Sequence, residues 1–217
     1  SELLQHTSLS HLKMLTNDTE NTHGMEKQDG QIWQSGIAYL FFFQHVKRTG
    51  WVICDIPDCE SIAGHMYRMA LMTFLLMSHL YLLNPALVHD LAECIVGDLT
   101  PHCGVSPEDK HRQEDEAMKK IAELTGIAGD RMYDLYKEYE NQSSAEAKFA
   151  KDLDRYDMIL QAFEYEKREN APRKLEEFFA STEGKFKHPF IKSLVTELNK
   201  QREEFEKKCL LNGHTKV

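Results

Sequence analysis

His89 and Asp90 are neighbours, Glu93 follows within one helical turn, and Asp98 lies just past Gly97. On a helix the first three side chains approach one face. One His-Asp dipeptide is expected by chance in a chain this rich in both residues, so the pair gains weight only from its company. His65 upstream and Asp154 downstream supply that company, giving imidazoles and carboxylates from three separate segments. Such a mixed nitrogen and oxygen set suits Mn, Co, Fe, Ni, Zn or Mg rather than a thiolate-selected metal. Each residue also has an ordinary alternative: His65 as a core or capping histidine, Glu93 and Asp98 as solvated acids.

The segments that must position these groups read as helices. Ser61 is a plausible N-cap for a helix carrying His65, Arg68 and Met69. From Met69 to Val88 the chain has twenty residues without Asp, Glu, Lys or Arg, long enough for a membrane span. As one continuous helix, residues 65 to 89 would separate the two histidines by roughly 36 Å. A span and a shared metal site are therefore mutually exclusive. Asn84-Pro85 favours a reversal near residues 78–85, with a second helix running from Pro85 to Gly97.

Residues 101–107 (PHCGVSP) read as a loop, followed by a charged helix with Ala117, Met118, Ile121 and Leu124 at helical spacing. Gly126 and Gly129 break the chain before a helix around Met132 to Tyr139. A long helix from Ser144 to about Arg168 repeats apolar residues every three or four positions. Periodicity alone favours Asp152 over Asp154 as its buried acid. Ala147, Ala150 and Met158, however, make the face of Asp154 apolar enough to be buried too. A Lys/Glu-rich helix spans Pro189 to Lys207, and no strand alternation of useful length appears. The expected fold is all-α.

Composition narrows the function classes. The 217 residues carry a formal charge of -9 with a pI near 5.7, which supplies no broad cationic surface for a nucleic-acid polymer. Five irregularly spaced cysteines argue against a disulfide framework or zinc ribbon and point to a reducing compartment. Ser1 to Gln34 contains nothing that reads as a secretory signal, and the start at Ser1 suggests a fragment or a processed chain. Residues 1–35 are expected to be flexible, 36–205 to form one domain, and 206–217 to be a flexible tail.

Five stretches together carry a resemblance: RTGW (48–51), ESIAGHMYRMA (60–70), ALVHDLAECIVGDLTP (86–101), KHRQEDEAMKKI (110–121) and YENQSSAEAKFAKDLDRYDMILQAFEYE (139–166). In that order the chain resembles the HD-domain metal-dependent phosphohydrolases, specifically their 5'-deoxynucleotidase branch, over roughly residues 37–204. The resemblance implies an HD-domain helical bundle with a divalent metal between its helices. It implies His65, His89, Asp90 and Asp154 as ligands, and Glu93 and Asp98 as the acids that orient a water and assist proton transfer. By the same resemblance, Trp51 contacts the sugar and Arg48 the phosphate or sugar. It further implies a deoxyribonucleoside 5'-monophosphate as substrate and a cytoplasmic homodimer.

Two departures from the family pattern stand out. Gly64 precedes His65 where an acid is usual, and the stretch between His65 and His89 is about four residues short. The alternatives are another HD phosphohydrolase, acting on a cyclic nucleotide or an alarmone, and an inactive helical interaction module produced by the shortened stretch after His65.

Overall fold

The computed structural model describes residues 43–77 and 83–213. The flexible N-terminus expected over 1–35 lies outside them. Nine α-helices are described: α1 Thr49–Ile53, α2 Ile62–Met77, α3 Leu83–Val88, α4 Glu93–Val96, α5 Pro107–Leu124, α6 Ile127–Asn141, α7 Ala145–Arg168, α8 Glu176–Thr182 and α9 Pro189–Gly213. A 3-10 turn at Pro101–Cys103 lies in the loop before α5. Among the described residues there is no strand, only an isolated antiparallel bridge between Lys47 and Ser61. The all-α expectation is met.

Side-chain caps begin the two longer helices that flank the site. Ser106 accepts the Asp109 N–H at the start of α5, and Ser144 accepts the Ala147 N–H at the start of α7. Ser61 Oγ likewise accepts the Gly64 N–H at 3.2 Å. Helix α7 is buried on two faces, with Phe149, Leu153 and Phe163 on one and Ala147 and Ala150 on the other. It therefore runs through the molecule rather than along its surface. One apolar cluster joins Ile62 and Met66 of α2 to Leu91, Met118 of α5 and Tyr136 of α6. A second joins Met69 and Ala86 to Phe149 and Leu153 of α7 and Ile191 and Leu198 of α9. The metal-ligand candidates lie where α2, the residues after α3, and α7 meet.

Three local expectations are corrected. The helix expected from Pro85 to Gly97 is broken into α3 and α4, with turns at residues 89–92. Gly129 does not break the chain: it lies inside α6, where a Cβ would stand 2.0 Å from the Ala122 carbonyl oxygen. Its missing side chain lets the backbones of α5 and α6 touch. The tail drawn from residue 206 is helical through Gly213, anchored where the Arg173 Nε donates to Glu206 at 3.0 Å.

Candidate metal centre

Helix α2 brings His65 into the interior, fully buried, and the turn after α3 brings His89 beside it. Their Nε2 atoms are 3.3 Å apart. On a continuous helix adjacent residues diverge by about 100°. The break at residues 89–92 removes that restriction, and His89 Nε2 comes within 3.2 Å of Asp90 Oδ2. His65 Nε2 is 3.7 Å from the same Asp90 oxygen and 3.3 Å from Asp154 Oδ1 on α7. Donors about 2.1 Å from one cation would be about 3.0 Å apart at right angles and about 3.4 Å apart in a tetrahedron. The spacings among His65, His89 and Asp154 are those a single divalent ion would need, and Asp90 Oδ2 lies beside both imidazoles.

The second nitrogen of each ring supports that fit. His65 Nδ1 is 2.6 Å from Asp157 Oδ2, and His89 Nδ1 is 3.2 Å from the Ala86 carbonyl. With protons on the Nδ1 atoms, both Nε2 lone pairs point at the shared centre. His65, His89 and Asp154 form one set of ligand atoms mutually within 4.8 Å. Helix periodicity would have selected Asp152, but its Oδ2 accepts the backbone N–H groups of Lys187 and His188 at 2.6 Å each, pinning the approach to α9.

The electrostatics are those of a cage for positive charge. Burial and the Arg48 charge push the His65 imidazole down, yet the hydrogen bonds it donates to the Asp154 and Asp157 carboxylates outweigh them and lift its pKa to about 9. Asp154, despite burial, is held well below the usual carboxylate range by Lys151 and the two histidine rings. Burial also opposes the charge on Asp90, but His89 and Arg48 bring its pKa down. Glu93 goes the other way: burial, then Asp90 and Asp98, push its carboxyl well above the usual range. Its Oε2 is buried without a protein hydrogen-bond partner.

Arg48 lies at the N-terminus of α1 and donates from Nη1 to Asp90 Oδ2 at 3.0 Å. The two side chains are 14% and 18% exposed and Asp154 is 17% exposed, whereas both imidazoles are 0% exposed. The centre is thus approached from the side of Arg48, Asp90 and Asp154. Asp98 Oδ2 accepts the Thr49 N–H at 2.6 Å, and Thr49 Oγ1 donates to the Asp98 carbonyl at 2.7 Å. Asp98 therefore fixes the turn that carries Arg48. Trp51 is in the same turn but is only 1% exposed, packed against Tyr165 and Phe178.

Sequence reasoning missed two neighbours of the ligands. Asp157, one turn after Asp154 on α7, supplies the support for His65 that Gly64 does not. Tyr139 donates from its hydroxyl to Asp154 Oδ2 at 2.8 Å. The signal for Asp157 was its spacing of three from Asp154, which puts both acids on one side of α7.

An HD-domain model matches residues 43–194, and the chain belongs to that family of helical proteins. The chain is 51% identical over 164 residues to the 5'-deoxynucleotidase HDDC2 of Bos taurus, covering 73% of this chain and 80% of the relative. It is 42% identical over 168 residues to the 5'-deoxynucleotidase hdd1 of Schizosaccharomyces pombe, covering 73% and 84%. A solved structure from Pyrococcus horikoshii is 31% identical, covers 79% of this chain and 99% of its own, and superposes with a TM-score of 0.64. Among the described residues no helix is long and apolar enough to cross a membrane.

Proposed function

We propose that this chain is a divalent-metal phosphomonoesterase that hydrolyses deoxyribonucleoside 5'-monophosphates to a deoxynucleoside and phosphate. The observation that carries this reading is the set of His65, His89 and Asp154 ligand atoms mutually within 4.8 Å, with Asp90 and Arg48 beside them. The names of the relatives support the substrate class. A bound divalent cation would acidify a water and neutralise a phosphate oxygen. Arg48, partly exposed at the mouth, would hold the phosphate by charge-assisted hydrogen bonds. Glu93 has a buried oxygen without a protein partner, which suits it to orient the attacking water or assist its proton transfer. Asp98 acts by holding Thr49, and through it Arg48, in place. Trp51 is assigned to the sugar side on the family resemblance alone, since its ring is buried against Tyr165 and Phe178.

The intact convergence favours this reading over an inactive interaction module. Phosphate release from deoxyribonucleotides and matched ribonucleotides, each with Mn, Co or Mg, tests it. Preference for the deoxy series is expected; preference for ribonucleotides or cyclic nucleotides would overturn the substrate assignment.

A homodimer and a cytoplasmic setting complete the proposal. Exposed Tyr67, Phe74 and Leu75 on α2 support a surface covered by a second copy, and five free cysteines support a reducing environment. A monomer in sedimentation at micromolar concentration would contradict the dimer.

A further inference from the structure

Behind the metal centre, five side chains form a continuous path from Trp51 to His65. The Trp51 indole N–H donates to Glu60 Oε1 at 3.1 Å. Glu60 Oε2 is 2.6 Å from Arg68 Nη1. Arg68 then grips Asp157 as a fork, Nε to Oδ1 at 2.6 Å and Nη2 to Oδ2 at 2.5 Å. Asp157 Oδ2 ends the path at His65 Nδ1, 2.6 Å away. Glu60, His65 and Asp157 also bring ligand atoms within 4.8 Å of one another, but the Arg68 guanidinium pairs with both acids there. A cation is already supplied by the protein, so this cluster is not a second metal site.

The path has a direction set by chemistry. Asp157 is fully buried and would impose a large desolvation cost if unpaired. The rigid guanidinium fork fixes the plane of its carboxylate, and that carboxylate fixes the His65 ring. Glu60, held in turn by the Tyr165 hydroxyl at its backbone N–H, 2.8 Å away, keeps Arg68 from rotating out. Gly64 offers no side chain for this task.

We propose that Glu60 and Arg68 are positioning residues for the metal centre, setting the His65 ring through Asp157 and coupling it to Trp51. This rests on the metal centre proposed above. The test is cobalt(II) titration of the full chain after chelation, reading the dissociation constant, the visible cobalt bands and Tm. Loss of outer partners of a ligating histidine typically weakens metal binding 10- to 100-fold. Glu60→Gln and Arg68→Met should therefore weaken cobalt binding by about 10-fold and shift its bands. Trp51→Phe removes the first hydrogen bond together with part of the packed ring, and should act in the same direction by a smaller factor. Asp157→Glu, which keeps the carboxylate, should bind cobalt more tightly than Asp157→Asn.

Phe178→Leu is the packing control. It disturbs the ring stacked on Trp51 without touching the hydrogen bonds, so Tm should fall while cobalt affinity and spectrum stay at the parent values. Parent-like cobalt binding by Glu60→Gln and Arg68→Met, or a loss no larger than in Phe178→Leu, would overturn the positioning role and leave the metal centre standing. A parent chain that binds no cobalt would contradict both.

Discussion

The Nε2 atoms of His65 and His89 lie 3.3 Å apart although 24 residues separate them in sequence. That distance excludes a single helix through the apolar run from Met69 to Val88. The described part of that run instead lies in α2 and α3, packed so that His65 and His89 meet at one point.

Asp152 and Asp154 should separate stability from chemistry. Asp152→Ala removes the acceptor of two backbone N–H groups before α9 and should cost about 3 kcal/mol. Metal content per folded molecule should be unchanged. Asp154→Ala should do the reverse, lowering bound metal with a smaller change in Tm. Metal analysis beside thermal melts checks both.

Arg202 should be a stability residue without a role in the reaction. It is 1% exposed, holds the fully buried Glu166 through bonds of 2.8 and 2.7 Å, and lies 3.6 Å over the Phe179 ring. Arg202→Met strands the Glu166 charge and should destabilise by about 3–5 kcal/mol. In denaturant melts, the double variant with Glu166→Gln should lose less than the sum of the single changes.

Gly129→Ala should destabilise by about 3 kcal/mol, because the new methyl would meet a backbone carbonyl that cannot move away cheaply. Gly64→Ala should instead raise Tm slightly. Its Cβ would meet only Ser61 Oγ at 3.5 Å, and alanine favours a helix.

Asp115 should contribute to acid sensitivity. Burial opposes its charge, but hydrogen bonds from Lys119, Lys137 and Tyr133 outweigh it and hold the carboxyl below the ordinary range. The folded state therefore prefers the charged acid. The associated stability is present above the unfolded pKa of about 4 and is lost as pH falls toward the folded value. Asp115→Asn should flatten the fall of Tm below about pH 4.

Much of the candidate centre was legible in sequence because its residues sit in ordered motifs on separate segments, His65 and Asp154 on helices and His89-Asp90 in the turn between two. The HD pair, His65 upstream and Asp154 downstream needed only a chain reversal to meet. The break at residues 89–92 was not legible: Leu91, Ala92 and Ile95 satisfy helical spacing, and only tertiary packing turns both His89 and Asp90 toward one centre. Asp157 was hidden for a related reason. A buried acid paired with Arg68 looks in sequence like any charged position on a long helix. Gly129 read as a breaker because a glycine needed for close approach and one needed for a turn have the same letter. Trp51 shows the limit of motif transfer, since spacing places it near Arg48 while packing encloses its ring.

The central claim is most directly tested by measuring phosphate release from deoxyribonucleoside 5'-monophosphates by the metal-loaded parent and by Asp90→Ala. Metal content and thermal melts should be recorded on the same samples. The parent should release phosphate only with a divalent cation, and the folded variant should lose both the cation and the activity. Undiminished phosphate release by folded Asp90→Ala would contradict the account.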